Sequence, residues 1–430
     1  MLLMAIALLV FIITYFFIIT EWINKTTAVL LGGFLVILLQ VIPQDVAFGY
    51  IDWNVIFLLI GMMIIMGVVR ETGVFQYAAI KTAKIARGKP IRIMLLMFVV
   101  TCAISAVLDN VTTVMIIIPV IILIASELRI SPVPFIITQI LASNIGGTAT
   151  LIGDPPNILI GSAMKFSFVD FIVHLTPVII IITMVSLVII YFTYHRSMQV
   201  SNRLRARIME YDEKSLITNS PLLRKSIIVI SLLMVGFILQ EPLHLHSATI
   251  AMTAALALLI MSNRKEVEHI LSKSVDWVSL FFFIGLFMIV GGLAESGVID
   301  IVGPYIYRIT HGNFRVFTLA MVWFSGFASS VLGSVPFVAT MIPLIKGMAG
   351  SFRVITTQPV WWALALGSCL GGNGTVLGAA ANIVSLGIAK RNGFPISFWT
   401  YMRSSFVITV VSLLISTLYL YLRYFVLVSF

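Results

Sequence analysis

Two strongly apolar stretches of this chain are interrupted by nearly the same polar residues, and that duplication limits the fold more than any other feature. Ser143-Asn-Ile-Gly-Gly-Thr-Ala-Thr-Leu-Ile-Gly-Asp-Pro-Pro-Asn157 is matched, 225 residues later, by Ser368-Cys-Leu-Gly-Gly-Asn-Gly-Thr-Val-Leu-Gly-Ala-Ala-Ala-Asn382. Gly and Pro at such density break a helix. Inside a bilayer a broken helix survives only where protein or a water-filled cavity satisfies the freed backbone groups. A duplicated break therefore predicts two related halves that share one polar interior.

A bilayer is the required solvent. Of the 430 residues, 60% are hydrophobic and only 10% charged, with a mean hydropathy of +1.11, whereas soluble domains run near ~45–50% and ~25%. This excludes a cytosolic enzyme, a secreted disulfide scaffold and a disordered adaptor, and predicts an all-α polytopic membrane protein. The net charge of +10 would suggest nucleic acid in a soluble protein. Here the basic residues occupy short loops between apolar runs, the positive-inside pattern, so lipid and not nucleic acid is the expected partner. Cys102 and Cys369 both lie in apolar segments and form neither a disulfide framework nor a thiolate metal site. Met1 to Thr20 is apolar, without a basic leader or a small-residue cleavage site, and reads as a retained first span.

Apolar runs over 1–20, 26–42, 53–69, 168–194, 225–240, 247–262, 277–293 and 397–425 read as ordinary spans, while 93–126, 133–165, 316–350 and 361–389 are interrupted. A basic hydrophilic linker, 196–224, separates a first repeat, 1–195, from a second, 225–430. Asp52-Trp53 through Gly73-Val74 matches Asp276-Trp277 through Gly297-Val298 with ten identities in 23 positions. Leu108 to Pro119 likewise runs beside Leu332 to Pro343.

Lys81, Lys84, Arg87, Lys89, Arg92, the central linker, Arg264, Lys265 and Lys273 are expected to be cytoplasmic, which places the N-terminus outside. If 93–126 enters and leaves on one face with its tip at Asp109-Asn110, each half holds five transmembrane helices plus one re-entrant hairpin. An odd number of crossings makes the halves inverted repeats, each with a broken helix. The alternative, two full spans over 93–126, changes the crossing count and places Asp109-Asn110 in a surface loop that lacks Lys or Arg.

Inverted repeats with matching interruptions place a substrate site at the midplane. The predicted binding residues are Asn110, Thr112, Ser143, Asn144, Gly146, Gly147 and Thr148 in the first half. In the second they are Ser334, Ser368, Cys369, Gly371, Gly372, Asn373 and Thr375. Glycines free the backbone, and Ser, Thr and Asn supply neutral donors and acceptors. Close helix packing by small residues is the plainer alternative, but it does not account for a polar cluster that recurs.

Two carboxylates lie at membrane depth, Asp109 and Asp154, and ionisable groups there are functional by default. Their repeat positions hold Gly333 and Ala379, so acid-based proton coupling is expected in the first half. Either Asp could instead cap a broken half-helix. Asp52 and Asp276 read as interfacial caps, Glu71 and Glu295 as partners of loop cations, and Lys346 as a snorkelling residue or a partner for a buried acid. Glu241, His244 and His246 form at most a weak metal motif, and neither metal nor cofactor is expected. No GxxxxGK[ST], HExxH or GxSxG motif occurs, so neither ATP hydrolysis nor proteolysis is expected.

At Leu108-Asp-Asn-Val-Thr-Thr-Val, Gly146 through Asn157 and Cys369-Leu-Gly-Gly-Asn-Gly-Thr375, the chain resembles the ArsB/NhaD permeases of the ion transporter superfamily. It is most similar to the branch that includes the melanosomal P protein and bacterial arsenite permeases. The resemblance covers essentially the whole chain. It implies a secondary transporter of the bacterial inner membrane that exchanges arsenite or antimonite for protons, with a soluble ATPase subunit left open as a partner. Sodium/proton or other ion exchange is the alternative. More distant sodium-coupled dicarboxylate carriers hold sodium at positions comparable to Asn110, Thr112 and Asn144. Gly333-Ser334 departs from the Asp-Asn often found in the branch's second hairpin.

Overall fold

The computed structural model describes residues 1–196, 198–262, 264–352, 354 and 356–427, and these residues form helices with no strand. In the first half the helices are α1 (Leu2–Thr20), α2 (Lys25–Leu38), α3 (Gln44–Gly49), α4 (Trp53–Glu71), α5 (Val74–Ile85), α6 (Pro90–Ser105), α7 (Asn110–Glu127), α8 (Val133–Gly147), α9 (Pro155–Met164), α10 (Phe168–His174) and α11 (Thr176–Tyr194). The linker contributes α12 (Asn202–Glu210) and a short turn, Glu213–Leu216. The second half follows with α13 (Ser220–Ile238), α14 (Ser247–Met261), α15 (Arg264–Lys273), α16 (Trp277–Glu295), α17 (Val298–Ile309), α18 (Phe314–Leu332), α19 (Ser334–Met348), α20 (Gln358–Gly371), α21 (Ala380–Arg391) and α22 (Phe398–Tyr421). Eight of these helices are long and apolar enough to cross a membrane.

Local chemistry sets the boundaries. The Asp52 carboxylate accepts from the Asn54 and Val55 amides, and the Asp276 carboxylate accepts from the Ser279 amide, so both act as the expected caps. Proline opens α6, α8, α9 and α20, where its missing N–H costs nothing. The expected span over 168–194 is subdivided. Ser167 and Asp170 form a capping box that starts α10, and α9 and α10 meet at 114°.

Both expected breaks are present. Helix α8 has 15 residues and α9 has 10, so they extend about 22 and 15 Å at 1.5 Å per residue. Helices α20 and α21, with 14 and 12 residues, reach about 21 and 18 Å. None of the four spans a ~30 Å hydrocarbon core alone. The breaks between them, at 148–154 and 372–379, separate helices too short to cross singly.

Helices pack in reciprocal pairs across the two halves: α2 with α16 and α4 with α14, then α7 with α21 and α9 with α19. The repeat-related pair α4 and α16 runs in opposite directions. Tyr50, just before α4, donates a 2.6 Å hydrogen bond to Glu295 at the end of α16. At the other end Gly67 lies against Ser274, and Glu71 sits 3.6 Å from His269, both just before α16. Glu295 thus pairs with a tyrosine where a loop cation was expected, because the α3 turn brings Tyr50 to it first.

The linker folds back onto the first half. The Thr218 amide and hydroxyl donate to the carbonyls of Thr72 and Glu71, and the Leu216 carbonyl presses against Gly73. Gly73 has φ +75°, and a Cβ there would lie 1.9 Å from that oxygen; its repeat partner Gly297 has φ +81° but nothing nearer than 3.7 Å. Gly73→Ala is expected to release the linker and speed its limited proteolysis. Gly297→Ala carries only the cost of a left-handed alanine, about 1–2 kcal/mol, and should leave cleavage unchanged.

Lys84 bridges Glu213 at 2.5 Å and donates to the Tyr211 carbonyl at 2.7 Å. The ammonium holds the Glu213 carboxyl below its usual range. A depressed acid contributes stability above its unfolded value and loses it as pH falls through the folded one. A spin label at Ser215 should therefore stay immobile from neutral pH into mild acid and loosen only in stronger acid. In Glu213→Gln it should be looser already at neutral pH.

Candidate functional site

The tip between α6 and α7 comes to rest beside the break between α8 and α9. Helix α6 runs alongside α8, the Thr101 hydroxyl donating to Gln139 and the Ser105 hydroxyl to the Ser143 carbonyl. Gly146 makes the approach possible, since a Cβ there would fall 2.2 Å from the Cys102 carbonyl oxygen. The second half repeats the contact with Gly371 against Gly326, at 2.3 Å. These two glycines serve the helix crossing. Gly147 and Gly372 play a related part, packed against Gly153 and Gly378 where each break folds on itself.

Each break is then tied down in the same manner. Thr150 donates its hydroxyl to the Ala106 carbonyl at the first tip, and Thr375 donates to the Ser330 carbonyl at the second. Asn157 donates to the carbonyls of Thr148 and Thr150, at 3.1 and 2.8 Å. Its repeat partner Asn382 donates to Gly372 and Thr375, at 2.7 and 2.8 Å. Neither Asn157 nor Asn382 was among the predicted binding residues. Their identity at the matching end of both motifs was the signal available.

Around these clamps runs a buried amide relay. The Asn110 side-chain amide donates to Asp154 and to Asn144, both at 3.1 Å. Asn144 in turn donates across to the second half, to Asn373 at 2.8 Å and Asn382 at 2.9 Å. The repeat counterpart of Asn144 is Cys369, whose thiol points to Asn157 at 3.5 Å, so the crossing contact is made in both directions. The Asn373 amide nitrogen is fully buried and has no partner among the described residues. It is a donor of the relay left open.

The two carboxylates have different surroundings. Asp109 is half-buried and caps α7, accepting from the Thr112 amide at 2.8 Å. Asp154 occupies the N-cap position of α9 but makes no capping bond; it is 3% exposed and accepts from Asn110. Among the described residues no Lys or Arg is bonded to this network, and no group of three or more His, Cys, Asp or Glu is placed to hold a metal.

Other predicted residues are oriented differently. Ser143 donates to the Asn110 carbonyl at 2.9 Å. The Ser368 and Thr148 hydroxyls return to carbonyls one turn back, Leu364 and Asn144. Thr112 contributes its backbone amide to the Asp109 cap. Ser334 is buried, with its amide on the Gly378 carbonyl. Outside the junction, Tyr15 of α1 donates to the Pro336 carbonyl at 2.7 Å, so the first span braces the second hairpin.

Eight helices long and apolar enough to cross a membrane, with interrupted helices and buried polar groups contributed by both halves, define a membrane transporter. The chain belongs to the CitMHS family, whose model, described as citrate transporter, matches residues 15–367. It is 42% identical over 426 residues to a 46 kDa membrane protein of Mycobacterium leprae, covering 98% of this chain and 99% of that one. An uncharacterized transporter of Mycobacterium tuberculosis is 41% identical over 427 residues, with the same coverage. The human P protein is 30% identical over 488 residues, covering 94% of this chain and 58% of its own length. The likeness to P protein agrees with the sequence resemblance. Among solved structures, the YdaH transporter of Alcanivorax borkumensis, described as having an unusual topology, superposes with a TM-score of 0.58 at 15% identity, covering 87% of this chain and 85% of that one. That similarity concerns the fold.

Proposed function

We propose that the chain is a proton-coupled secondary transporter of the cytoplasmic membrane that exports arsenite or antimonite by alternating access. The observation that carries the reading is Asp154: a buried carboxylate that caps no helix, has no cationic partner among the described residues, and is joined through Asn110 and Asn144 to amides of the other half. A carboxyl group in that position can exchange its proton for a solute. The open Asn373 amide supplies a donor for the solute oxygen. Arsenite near neutral pH is an uncharged trihydroxide, and it suits a pocket of amides and backbone groups. Citrate, the solute in the family description, carries several carboxylates, and the described residues of the junction offer no cation to balance them. Sodium/proton exchange uses the same carboxylate but leaves a bare N–H donor facing a cation.

In this reading the halves are inverted repeats, a view supported by the opposed directions of α4 and α16 and by the reciprocal pairing of α7 with α21 and α9 with α19. In the same reading hairpins α6–α7 and α18–α19 are re-entrant, which is supported by the bonds of the first tip to the α8–α9 break, with α7 and α18 each long enough to cross on their own. The basic loops and linker face the cytoplasm and the N-terminus faces outward.

Everted vesicles with an inside-acid gradient provide the test. Arsenite uptake that collapses with an uncoupler and ignores sodium is the expected result. Proton release on adding sodium, without arsenite uptake, would favour the exchanger.

A further inference from the structure

A second polar feature lies outside the junction, on the lipid-facing side of the first hairpin. A cavity of about 280 Å³ is lined by Arg70, Gln76, Met115, Ile116, Pro119, Val120 and Leu123. Its wall is α7, with Pro119 inside the helix; its rim is the last turn of α4, which carries Arg70, and the first turns of α5, which carry Gln76.

The two polar groups of this cavity lack partners. The Arg70 side chain makes no hydrogen bond or ion pair with any described residue. The Gln76 side-chain oxygen is buried and accepts nothing. A guanidinium without a counter-ion calls for an anion, and a buried carbonyl oxygen without a donor calls for a hydroxyl or N–H. Below them the lining is apolar, and Met115 and Leu123 are 45% and 43% exposed on a helix of the membrane region. A soluble anion would satisfy Arg70 and leave that wall bare.

We infer that this groove binds an anionic phospholipid with a hydroxylated headgroup, such as phosphatidylglycerol. The phosphodiester pairs with Arg70, a headgroup hydroxyl donates to the Gln76 oxygen, and an acyl chain lies along Met115, Val120 and Leu123. Arg70 stands in the last turn of a spanning helix, the depth at which an arginine meets phosphates. The proposal does not depend on the transported solute.

The test is lipid retention by the purified full-length protein, read by native mass spectrometry after exchange into mixed phosphatidylcholine and phosphatidylglycerol. Wild type should retain phosphatidylglycerol about fivefold or more over phosphatidylcholine, the effect expected of one arginine at a membrane surface. Arg70→Gln should lose the preference. Leu123→Trp, which fills the groove and keeps the charge, should lose it as well and guards against misfolding of the first variant. Gln76→Leu should retain phosphatidylglycerol and phosphatidic acid equally, where wild type favours the former. Equal retention by wild type and Arg70→Gln would overturn the proposal. So would displacement of the lipid by glycerol 3-phosphate at matched concentration, because the site would then be one for a soluble anion.

Discussion

Asp154→Asn is expected to abolish gradient-driven accumulation while leaving insertion and folding intact. A gradient of one pH unit stores about 1.4 kcal/mol per proton and supports about tenfold solute accumulation at one proton per solute. Under the proposed function, an amide in place of the carboxyl group leaves nothing to carry the proton, and reconstituted vesicles should only equilibrate arsenite. The hydrogen bond from Asn110 survives, because the carbonyl oxygen of the substituted amide still accepts it. Asp109→Asn should keep the coupling, since its structural task is to cap α7 and Asn caps almost as well as Asp. Loss of coupling in Asp109→Asn with full coupling in Asp154→Asn would reverse the assignment.

The second large effect is expected at Asn144. Its amide joins the halves by donating to Asn373 and Asn382 while accepting from Asn110. Leucine at this position leaves two buried oxygens without donors and one amide with a single acceptor. Side-chain hydrogen bonds within membranes average about 0.6 kcal/mol, whereas an orphaned buried group costs about 1–3 kcal/mol. Asn144→Leu should therefore lose about 2–6 kcal/mol, a large part of a typical stability of about 5–15 kcal/mol, together with solute binding. Ser368→Ala is the control. Its hydroxyl bonds only within its own helix, and both stability and binding should stay near wild type. Thermal unfolding in detergent and arsenite binding measure the pair, and equal behaviour of the two variants would count against a relay that holds the junction together.

Much of this architecture could be read from the sequence because its determinants are local. Gly146-Gly147 and Gly371-Gly372 mark the breaks, Asp52 and Asp276 mark caps, and most spans follow from the length of apolar runs. The runs 26–42 and 247–262 give helices of only 14 and 15 residues, while α7 and α18, read as hairpin limbs, are long enough to cross. Residue roles were less legible, because neighbours in space decide them. Asp109 and Asp154 both precede a helix and both look like caps; the Thr112 amide bonded to Asp109 and the Asn110 amide bonded to the more deeply buried Asp154 separate them. Gly146 and Gly371 resemble solute-binding glycines until Cys102 and Gly326 are seen against them. Ser368 lies in the motif, yet its hydroxyl turns back into α20. Asn157 and Asn382, which hold both breaks in shape, were recognisable only as matching motif ends. The docking of the linker on Gly73 left no local sign, since Gly297 occupies the same repeat position in open space.

The most direct measurement is proton release when arsenite binds to the purified protein in weak buffer. If solute and proton compete for the Asp154 junction, binding should release up to about one proton per protein, and affinity should fall as the solution becomes more acidic. Arsenite binding with no proton release, at an affinity independent of pH, would contradict the account.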